Sequence, residues 1–264
     1  MNTKSVDFSK FSSIRIGPIA EVALIENDIV PQGRIIVGSA NNLLVSPTPP
    51  PLMILSKQYD FIRIEGNRLI IGAATPGGRV VSFCKKNNIA HFEYLSKLPG
   101  TMGGMLKMNA GLKEYEIFNH LISIRTPSGW IPKEKIQYGY RTTSINEVVF
   151  EAAFECEEGF SLEKLEMFGQ MRSNQPNEPS AGSCFKNPQG DYAGRLIEAV
   201  GLKGQRVGAM AFSEIHANFL VNYGQGTYED ALSLIQEAQK RVQDQFGIQL
   251  QCEVVILSDT IVTK

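Results

Sequence analysis

Apolar side chains recur at helical spacing near the C-terminal end of the chain. The segment Thr227-Tyr-Glu-Asp230 resembles a capping box, with Asp in the place of the usual Glu or Gln. Gly247 is placed to end the helix in a left-handed conformation. The apolar stripe between them consists of Ala231, Leu234, Ile235, Ala238, Val242 and Phe246. This pattern predicts an amphipathic helix whose stripe faces a core.

A second pattern predicts a β-hairpin in the first half of the chain. Apolar residues fill most of positions 61–64 and 68–71, and Gly66-Asn67 lies between them as a tight-turn pair. The proline-rich run at 47–51 predicts a stiff bend that cannot lie inside a central strand.

The remaining predicted elements follow no regular order. We expect a buried strand over 34–38, further strands over 122–126, 147–156 and 248–257, helices over 79–88 and 161–173, and a helix that begins at Asp191 as its N-cap and reaches Val200. Because strands and helices do not alternate, the pattern predicts an α+β class. The main domain boundary is predicted near the start of the 161–173 helix.

Composition and charge exclude several classes of protein. With 264 residues, 43% hydrophobic and 20% charged, the chain is not disordered. Lys+Arg total 26 and Asp+Glu 27, so no basic excess exists for a nucleic-acid backbone. The first ten residues lack the apolar core of a signal peptide, and no apolar run approaches the ~18 residues of a membrane span. Four scattered cysteines show no metal-site spacing. We therefore expect a cytoplasmic protein with reduced thiols, no metal, and neither nucleic acid nor membrane as partner.

Two glycine-containing loops are candidate binding segments. The small residues at 38–42 follow a predicted strand, so their N–H groups could approach an anion, or they could form a plain turn. No Gly-x-Gly-x-x-Gly fingerprint is present in the chain. Gly100, Gly103, Gly104 and Gly111 either admit a flat or phosphorylated ligand or allow tight packing of a short helix on a sheet. The residues alone leave both questions open.

Four polar side chains are candidates for chemistry. Arg141 could fork onto a carboxylate or lie in a polar surface loop. Ser183 could protonate a strongly basic atom or cap a turn. Glu253, among apolar neighbours, could be a partly desolvated acid or an exposed strand residue. His216 could contact an anion or be structural.

Taken together and in this order, the motifs resemble the UDP-N-acetylenolpyruvoylglucosamine reductase (MurB) family of FAD enzymes in peptidoglycan precursor synthesis. The resemblance extends from about Phe11 to Leu257. It is carried by Leu98-Pro-Gly-Thr-Met-Gly-Gly, Asn109-Ala-Gly111, Gly139-Tyr-Arg141, Ala181-Gly-Ser-Cys-Phe-Lys-Asn-Pro188, Gly194-Arg-Leu-Ile-Glu-Ala199, His216-Ala-Asn-Phe219 and Glu253-Val254.

The resemblance implies a fold and a cofactor. An FAD-binding module of the vanillyl-alcohol-oxidase/PCMH type, with subdomains at 1–58 and 59–160, is followed by an α+β substrate-binding domain at 161–264, whose closing strand can pack back toward the flavin. The implied FAD-binding residues are Gly38, Ser39, Ala40, Asn41, Asn42, Leu43, Pro99, Gly100, Thr101, Gly103, Gly104, Asn109, Ala110 and Gly111.

It also implies a reaction, the NADPH-dependent reduction of UDP-N-acetylglucosamine enolpyruvate to UDP-N-acetylmuramate. Arg141 matches the family residue that stabilises charge on the enolpyruvyl carboxylate, Ser183 the one that protonates C2, and Glu253 the one that hydrogen-bonds the enolic intermediate. The implied substrate-binding residues are Tyr140, Lys186, Asn187 and His216. A monomer is expected.

The chain also departs from the family pattern. Its first cofactor loop keeps one Gly of the usual Gly-Gly-Gly-Ser-Asn, so side chains at Ser39 and Ala40 would crowd a pyrophosphate. Residues 26–34 are too few for the helix normally found there. The interval from Cys184 to Gln251 lacks room for the family's tyrosine-loop insertion, which indicates the compact type.

Two other functions are weighed against the reductase. An alcohol or lactone oxidase of the same flavin fold often tethers FAD through a His near the first loop, but residues 38–45 contain none. A non-catalytic binding protein derived from a reductase would not need Arg141, Ser183 and Glu253 together.

Overall fold

A computed structural model describes residues 2–259. These residues form two compact units. Unit 1 consists of residues 2–4, 22–39 and 52–173, and unit 2 of residues 5–21, 40–51 and 174–259. Both units therefore contain N-terminal segments, which no local sequence pattern indicated.

The strands are short and numerous. They are β1 (Thr3–Asp7), β2 (Ile19–Ile25), β3 (Ile35–Ile36), β4 (Leu43–Val45), β5 (Leu52–Leu55), β6 (Ile62–Glu65), β7 (Arg68–Gly72), β8 (Gly111–Leu112), β9 (Tyr115–Glu116), β10 (Leu121–Thr126), β11 (Gly129–Pro132), β12 (Tyr138–Gly139), β13 (Thr142–Thr143), β14 (Glu151–Glu155), β15 (Ser180–Ser183), β16 (Arg206–Val207), β17 (Met210–Phe212), β18 (Phe219–Asn222) and β19 (Val255–Leu257).

The helices interrupt the strands at irregular intervals. They are α1 (Phe8–Phe11), α2 (Gly77–Lys86), α3 (Met102–Lys107), α4 (Leu162–Met171), α5 (Ala193–Ala199) and α6 (Tyr228–Phe246), with 3₁₀ turns at Lys57–Tyr59, Glu93–Lys97 and Lys133–Lys135. The order is that of an α+β protein, as predicted. Among residues 2–259, none of the helices is long and apolar enough to cross a membrane.

Unit 1 is built on a five-stranded antiparallel sheet in the order β11-β10-β14-β7-β6. Its core includes Phe92, Phe118, Phe154 and Phe168. The predicted hairpin is confirmed as β6 and β7, with Glu65 opposite Arg68 and Gly66 at φ +60° in the turn. The helix predicted over 79–88 is α2, which begins two residues earlier, at Gly77.

A smaller parallel arrangement in unit 1 places β5 between β2 and β3. The strand predicted over 34–38 is only two residues long, and Ile36 is 36% exposed, so the predicted burial is wrong for β3 itself. Burial instead begins after the strand, at Val37. No helix occurs among residues 26–34, as their small number predicted.

Unit 2 is built on an antiparallel sheet in the order β15-β18-β17-β16, against which α6 packs its apolar stripe. The capping box is confirmed, because Thr227 and Asp230 exchange side-chain to main-chain hydrogen bonds. Gly247 ends the helix at φ +69°. The strand predicted over 248–257 is wrong in length, since only β19 pairs as a regular strand, parallel to β4.

The boundary after α4 differs from the prediction. Ser161 caps α4 by accepting from the Lys164 N–H at 3.1 Å, and the helix belongs to unit 1. Unit 2 resumes only at Asn174. The three domains at 1–58, 59–160 and 161–264 stay a prediction, because these compact units divide the chain at other positions.

Candidate functional site

Arg141 lies at the tip of a small hairpin in unit 1. Gly139 pairs with Thr142, so Tyr140 and Arg141 form the two-residue turn between β12 and β13. Arg141 has φ +54°, a conformation that costs a non-glycine residue about 1–2 kcal/mol. Its guanidinium donates to the carbonyls of Asn109 and Gly111 at 3.2 and 2.7 Å and lies 5.1 Å from the Tyr140 ring centroid. The structure thus brings together the predicted Tyr140 and Arg141 and holds them against the 109–111 loop.

Asn109 links this hairpin to the rest of unit 1. Its side chain is fully buried, donates to Glu116 Oε2 at 2.8 Å and to the Gly139 carbonyl at 3.1 Å, and accepts from the Phe118 N–H at 3.4 Å. These bonds commit the carboxamide to the protein interior. The predicted cofactor role of Asn109 stays a prediction, and Glu116 is a partner that no sequence pattern indicated.

The glycines at 100–111 do not all serve the same purpose. Some are needed for tight packing, and one leaves the backbone open to a ligand. A Cβ on Gly103 would lie 3.1 Å from the Ala73 Cβ, and one on Gly111 would lie 2.4 Å from the Tyr115 carbonyl, so packing requires both glycines. Gly104 is exposed, and a Cβ there would meet nothing closer than Thr101 Oγ1 at 3.8 Å. Of Gly103, Gly104 and Gly111, Gly104 alone thus offers an open backbone face within unit 1.

The two predicted cofactor loops meet in unit 1. A Cβ on Gly38 would lie 2.9 Å from Thr101 Oγ1, so glycine at position 38 lets the first loop lie against the second without displacing the Thr101 side chain. Pro99, which precedes this contact, is exposed, and Ser39 is half-buried. The loops therefore form one surface with a small-residue face.

The second part of the first loop lies in unit 2. Ala40 adopts φ +52°, a region that glycine usually fills, yet it is only 3% exposed. Its methyl group is therefore buried, and the expectation that Ala40 crowds a ligand stays a prediction. The Asn41 carbonyl accepts from the Ser13 hydroxyl at 3.3 Å. Asn42 donates from Nδ2 to the Glu253 carbonyl at 2.9 Å, directly before Leu43 opens β4.

Ser183 is placed by a β-bulge. Ser180 pairs with Val221 and Ser183 with Phe219, so β15 carries one residue more than β18 between these pairs. Gly182 has φ +77°, which accommodates the extra residue. Bulges of this kind redirect the next side chain. Ser183 lines a cavity of about 380 Å³ in unit 2.

The cavity brings together three predicted residues, Ser183, Asn187 and His216. It also includes Tyr192, Arg195 and Lys203, which were not predicted as site residues. Arg195 belongs to the motif at 194–199. Its guanidinium donates to both carboxylate oxygens of Asp191. Lys203 donates to Glu198 at 2.9 Å. Both cations are thus partly neutralised where they line the cavity.

His216 is held as a neutral ring. Its Nδ1 accepts from the Asn218 N–H at 3.3 Å, which leaves the ring proton on Nε2. Burial lowers the pKa of His216, and the nearby Lys203 charge lowers it further. At neutral pH the ring therefore offers a neutral N–H donor rather than a positive charge.

Asn187 caps α5, and Asp191 does not. The Asn187 Oδ1 accepts from the Ala193 N–H at 3.0 Å at the start of the helix. Tyr192 occupies the N-cap position, so the prediction of Asp191 is wrong by one residue. Asp191 instead accepts from Arg195, whose guanidinium lowers the pKa of this carboxyl to about 2.

Glu253 is held beside the serine segment. Its N–H and that of Val254 donate to the Cys184 carbonyl at 2.9 and 3.3 Å, and the Lys186 N–H donates to the Gln251 carbonyl at 2.9 Å. Glu253 is half-buried and lies before β19 rather than in a strand. Ser183 and Glu253 are therefore tied together through the main chain of Cys184, whereas Lys186 does not line the cavity.

Comparisons with known proteins agree with the motifs. The family described as "UDP-N-acetylenolpyruvoylglucosamine reductase, C-terminal domain" matches residues 175–257, all within unit 2. A protein named UDP-N-acetylenolpyruvoylglucosamine reductase from Helicobacter hepaticus is 48% identical over 97% of this chain and 100% of its own length. One with the same name from Campylobacter jejuni is 47% identical over 96% of this chain and 99% of its own.

A solved structure shares the fold. The crystal structure of UDP-N-acetylenolpyruvylglucosamine reductase (MurB) from Thermus caldophilus matches with a TM-score of 0.87 and 28% identity, covering 98% of this chain and all of that one. This likeness confirms the predicted architecture, an FAD-binding module of the PCMH type and an α+β domain.

Proposed function

This chain belongs to the UDP-N-acetylenolpyruvoylglucosamine reductase family, and from that premise we propose that it reduces UDP-N-acetylglucosamine enolpyruvate to UDP-N-acetylmuramate with NADPH, in peptidoglycan precursor synthesis. The observation that carries the proposal is the position of Ser183, on a bulge that directs it to a cavity also lined by Asn187 and His216. A proton donor must reach its acceptor directly, and this geometry provides that access.

The cofactor of this proposal is FAD. In unit 1 the contact of Gly38 with Thr101 and the open face of Gly104 leave main-chain groups accessible to a large polar ligand. The residues that would hold it there are Gly38, Ser39 and those at 99–104. When bound, FAD supplies the hydride that it has taken from NADPH to the enolpyruvyl double bond.

Arg141 is the residue proposed to stabilise the charge that develops on the substrate. Hydride addition at C3 leaves negative charge on C2 and on the neighbouring carboxylate. A guanidinium stays cationic throughout, and its fork matches a carboxylate. The hydrogen bonds to Asn109 and Gly111 fix the direction of the guanidinium before charge develops. Tyr140, beside it and half-exposed, is proposed to contact the substrate.

Ser183 is proposed to deliver the proton to C2. A neutral serine is a weak acid, so it donates only to a strongly basic atom, and a carbanion adjacent to a carboxylate is one. Glu253 is proposed to hydrogen-bond the enolic intermediate, held in place by the Cys184 carbonyl and Asn42.

The cavity residues are proposed to bind the nucleotide part of the substrate. The neutral His216 Nε2–H and the exposed side chains of Asn187, Tyr192 and Arg195 offer donors and an aromatic face. Lys186 remains a proposed substrate ligand. We also propose that the protein acts in the cytoplasm as a monomer.

A spectroscopic experiment tests the function. The purified protein is saturated with FAD, its visible spectrum is recorded, and NADPH is added anaerobically before UDP-N-acetylglucosamine enolpyruvate. The proposal expects bleaching by NADPH and recovery of the flavin band only when the enolpyruvyl substrate follows. UDP-N-acetylglucosamine without the enolpyruvyl group is the matched control and should restore nothing.

Two outcomes would contradict the proposal. A protein that binds no FAD would exclude both the reductase and the oxidase and favour a binding protein. Bleaching by an alcohol or a lactone precursor instead of NADPH would favour an oxidase.

A further inference from the structure

Asn218 makes several hydrogen bonds to the segment that directly follows Ser183, the predicted proton donor. It is 3% exposed, lies directly before β18 and lines the cavity of unit 2. Its carboxamide accepts from the Phe185 N–H at 3.0 Å and donates to the Phe185 carbonyl at 2.8 Å. One side chain thus takes the place of a neighbouring strand for residue 185.

The main chain of Asn218 makes two further bonds. Its carbonyl accepts from the Cys184 N–H at 2.7 Å, and its N–H donates to His216 Nδ1 at 3.3 Å. Regular pairing of β15 with β18 ends at Ser183 opposite Phe219. Asn218 therefore holds Cys184 and Phe185 by hydrogen bonds directly after the pairing of β15 with β18 ends.

These bonds connect three proposed functional groups. Cys184 follows Ser183 directly, and the Cys184 carbonyl holds Glu253 and Val254. The bond to Nδ1 sets the tautomer of His216. Removing the Asn218 carboxamide would leave Phe185 with two unpaired buried main-chain groups, and the segment that carries Ser183 would have to move to satisfy them.

We infer that Asn218 is a positioning residue, which holds the segment after Ser183 so that the serine hydroxyl stays aimed at its acceptor. The inference rests on the proposed function, since it concerns the serine proposed there as proton donor. Asn218 is not expected to touch the reacting atoms. A displacement of about 1 Å at a reacting group lowers rates on the order of 100-fold, which is the size of effect expected here.

The test uses the FAD-loaded full chain and measures two half-reactions separately by anaerobic stopped-flow at the flavin band. One is flavin reduction by NADPH, and the other is reoxidation of dithionite-reduced enzyme by the enolpyruvyl substrate. Asn218→Asp is the first variant because it keeps shape and acceptors and loses only the donor to the Phe185 carbonyl. At pH 8 it should slow substrate-dependent reoxidation on the order of 100-fold and change NADPH reduction by less than about two-fold.

The reoxidation rate of the same variant should recover when the pH is lowered. A buried carboxyl has a raised pKa, and its protonated form has an O–H that can donate to the Phe185 carbonyl as the amide did. Burial lowers the pKa of His216 and raises that of Cys184 well above its usual value, and comparison with wild type at the same pH corrects for titration of either residue. At pH near 5.5, Asn218→Asp should therefore recover about ten-fold in reoxidation rate relative to wild type at the same pH.

Asn222→Asp is the matched control. Asn222 is 4% exposed and lies at the end of β18, and its carboxamide likewise donates to one carbonyl, that of Ile14 at 3.0 Å, and accepts from two N–H groups. None of these partners is Ser183 or its neighbours. Asn222→Asp should lower thermal stability as much as Asn218→Asp while leaving the ratio of the two half-reaction rates unchanged.

Asn218→Ser keeps the test informative if the first variant folds poorly, because a hydroxyl can retain one of the two bonds to Phe185 and should give a partial loss in reoxidation. Equal slowing of both half-reactions, no rescue at low pH, or a reoxidation rate within about two-fold of wild type would each overturn the inference. Failure of the proposed function is distinguishable, since the reduced wild-type enzyme would then not be reoxidised by the enolpyruvyl substrate, whereas a wrong role for Ser183 would show as reoxidation that Ser183→Ala leaves intact.

Discussion

Two buried asparagines support two side chains with proposed catalytic roles in different ways. In unit 1, Asn109 supports a hairpin tip whose Arg141 uses its own guanidinium to bond the Asn109 and Gly111 carbonyls. In unit 2, the Asn218 carboxamide bonds the main chain of Phe185, two residues after Ser183. Among the described residues of unit 2, no group hydrogen-bonds the Ser183 hydroxyl.

The difference follows from the chemistry proposed for Arg141 and for Ser183. A guanidinium has five N–H donors and stays charged, so spending two of them on carbonyls orients it without removing its charge. A serine has one proton, and a hydrogen bond that engages it would hinder its transfer. A guanidinium can therefore be oriented by hydrogen bonds to its own N–H groups, whereas a hydroxyl that must donate its proton is better positioned by hydrogen bonds to neighbouring residues.

The largest expected effect comes from removing the donor in unit 2. Ser183→Ala should slow flavin reoxidation by the enolpyruvyl substrate on the order of 1,000-fold, because it removes the proposed acid, and should leave flavin reduction by NADPH within about two-fold. Stopped-flow absorbance measures both. Ser180→Ala, on the same strand β15, is the control and should affect neither step. Equal loss of both steps would contradict the role of Ser183.

The next effect concerns the charge in unit 1. Arg141→Gln should lower kcat about 100- to 1,000-fold, because it removes the cation that faces the developing charge. Arg141→Lys should recover only part of this loss, since an ammonium lacks the fork that bonds both the Asn109 and Gly111 carbonyls. Steady-state kinetics distinguish the two variants. Full activity of Arg141→Lys would show that charge alone, without orientation, suffices.

A stability measurement tests the support in unit 1. Asn109→Ala should lower the free energy of unfolding by about 3 kcal/mol, because the part-buried Glu116 and Gly139 carbonyl lose their donor and the buried Phe118 N–H loses its acceptor. Denaturant titration measures it. Asn119→Ala is the control: its amide donates to the Glu114 carbonyl at 2.8 Å but is exposed, so its loss should cost less than about 1 kcal/mol. Similar costs for the two variants would refute a special role for Asn109.

The partner of Asn109 should matter less. Glu116→Gln keeps an acceptor for the Asn109 amide at the same position, so it should cost about 1 kcal/mol of stability and lower kcat only a few-fold. The same titration and steady-state assay apply. A loss as large as that of Asn109→Ala would mean that the negative charge, rather than the acceptor geometry, holds the hairpin.

The smallest effect is a pH dependence in unit 2. Burial lowers the pKa of His216 below its usual 6.5, so below that pH the unfolded chain binds a proton that the folded chain does not. This stabilising contribution is present above about pH 6.5 and is lost as the pH falls through the folded-state pKa. His216→Gln should therefore flatten the decline of unfolding free energy between about pH 6.5 and 5, measured by denaturant titration. An unchanged slope would refute the prediction.

The reliability of the sequence predictions depended on how local their causes are. The helix α6 was predicted with its cap, stripe and end because all three lie within one segment. The β6–β7 hairpin was predicted for the same reason. The strand over 248–257 was overestimated because Cys252 forms only an isolated bridge with Phe185 and regular pairing begins at Val255.

The candidate site residues were proposed from motifs, whereas the residues that support them were not. The roles of Arg141, Ser183 and His216 rest on motifs whose residue types and spacing are specific to the family, and they stay predictions. Asp191 was a misassigned cap, since a cap is decided by which oxygen reaches the helix, and Asn187 reaches it from six residues away. Glu116 and Asn218 gave no signal as supports, because their partners are not sequence neighbours.

By itself, the sequence determined the α+β class and the family, since these follow from the order of the predicted elements and from motifs along the chain; the roles of Arg141, Ser183 and Glu253 stay predictions. Only the tertiary structure decided which polar residues hydrogen-bond to groups far along the chain and so support the candidate site. Asn109 and Asn218 find their partners 7 to 33 residues away, and Asn42 bonds Glu253 across 211 residues. A hydrogen bond requires two groups within about 3 Å, and only the folded chain brings such distant residues that close.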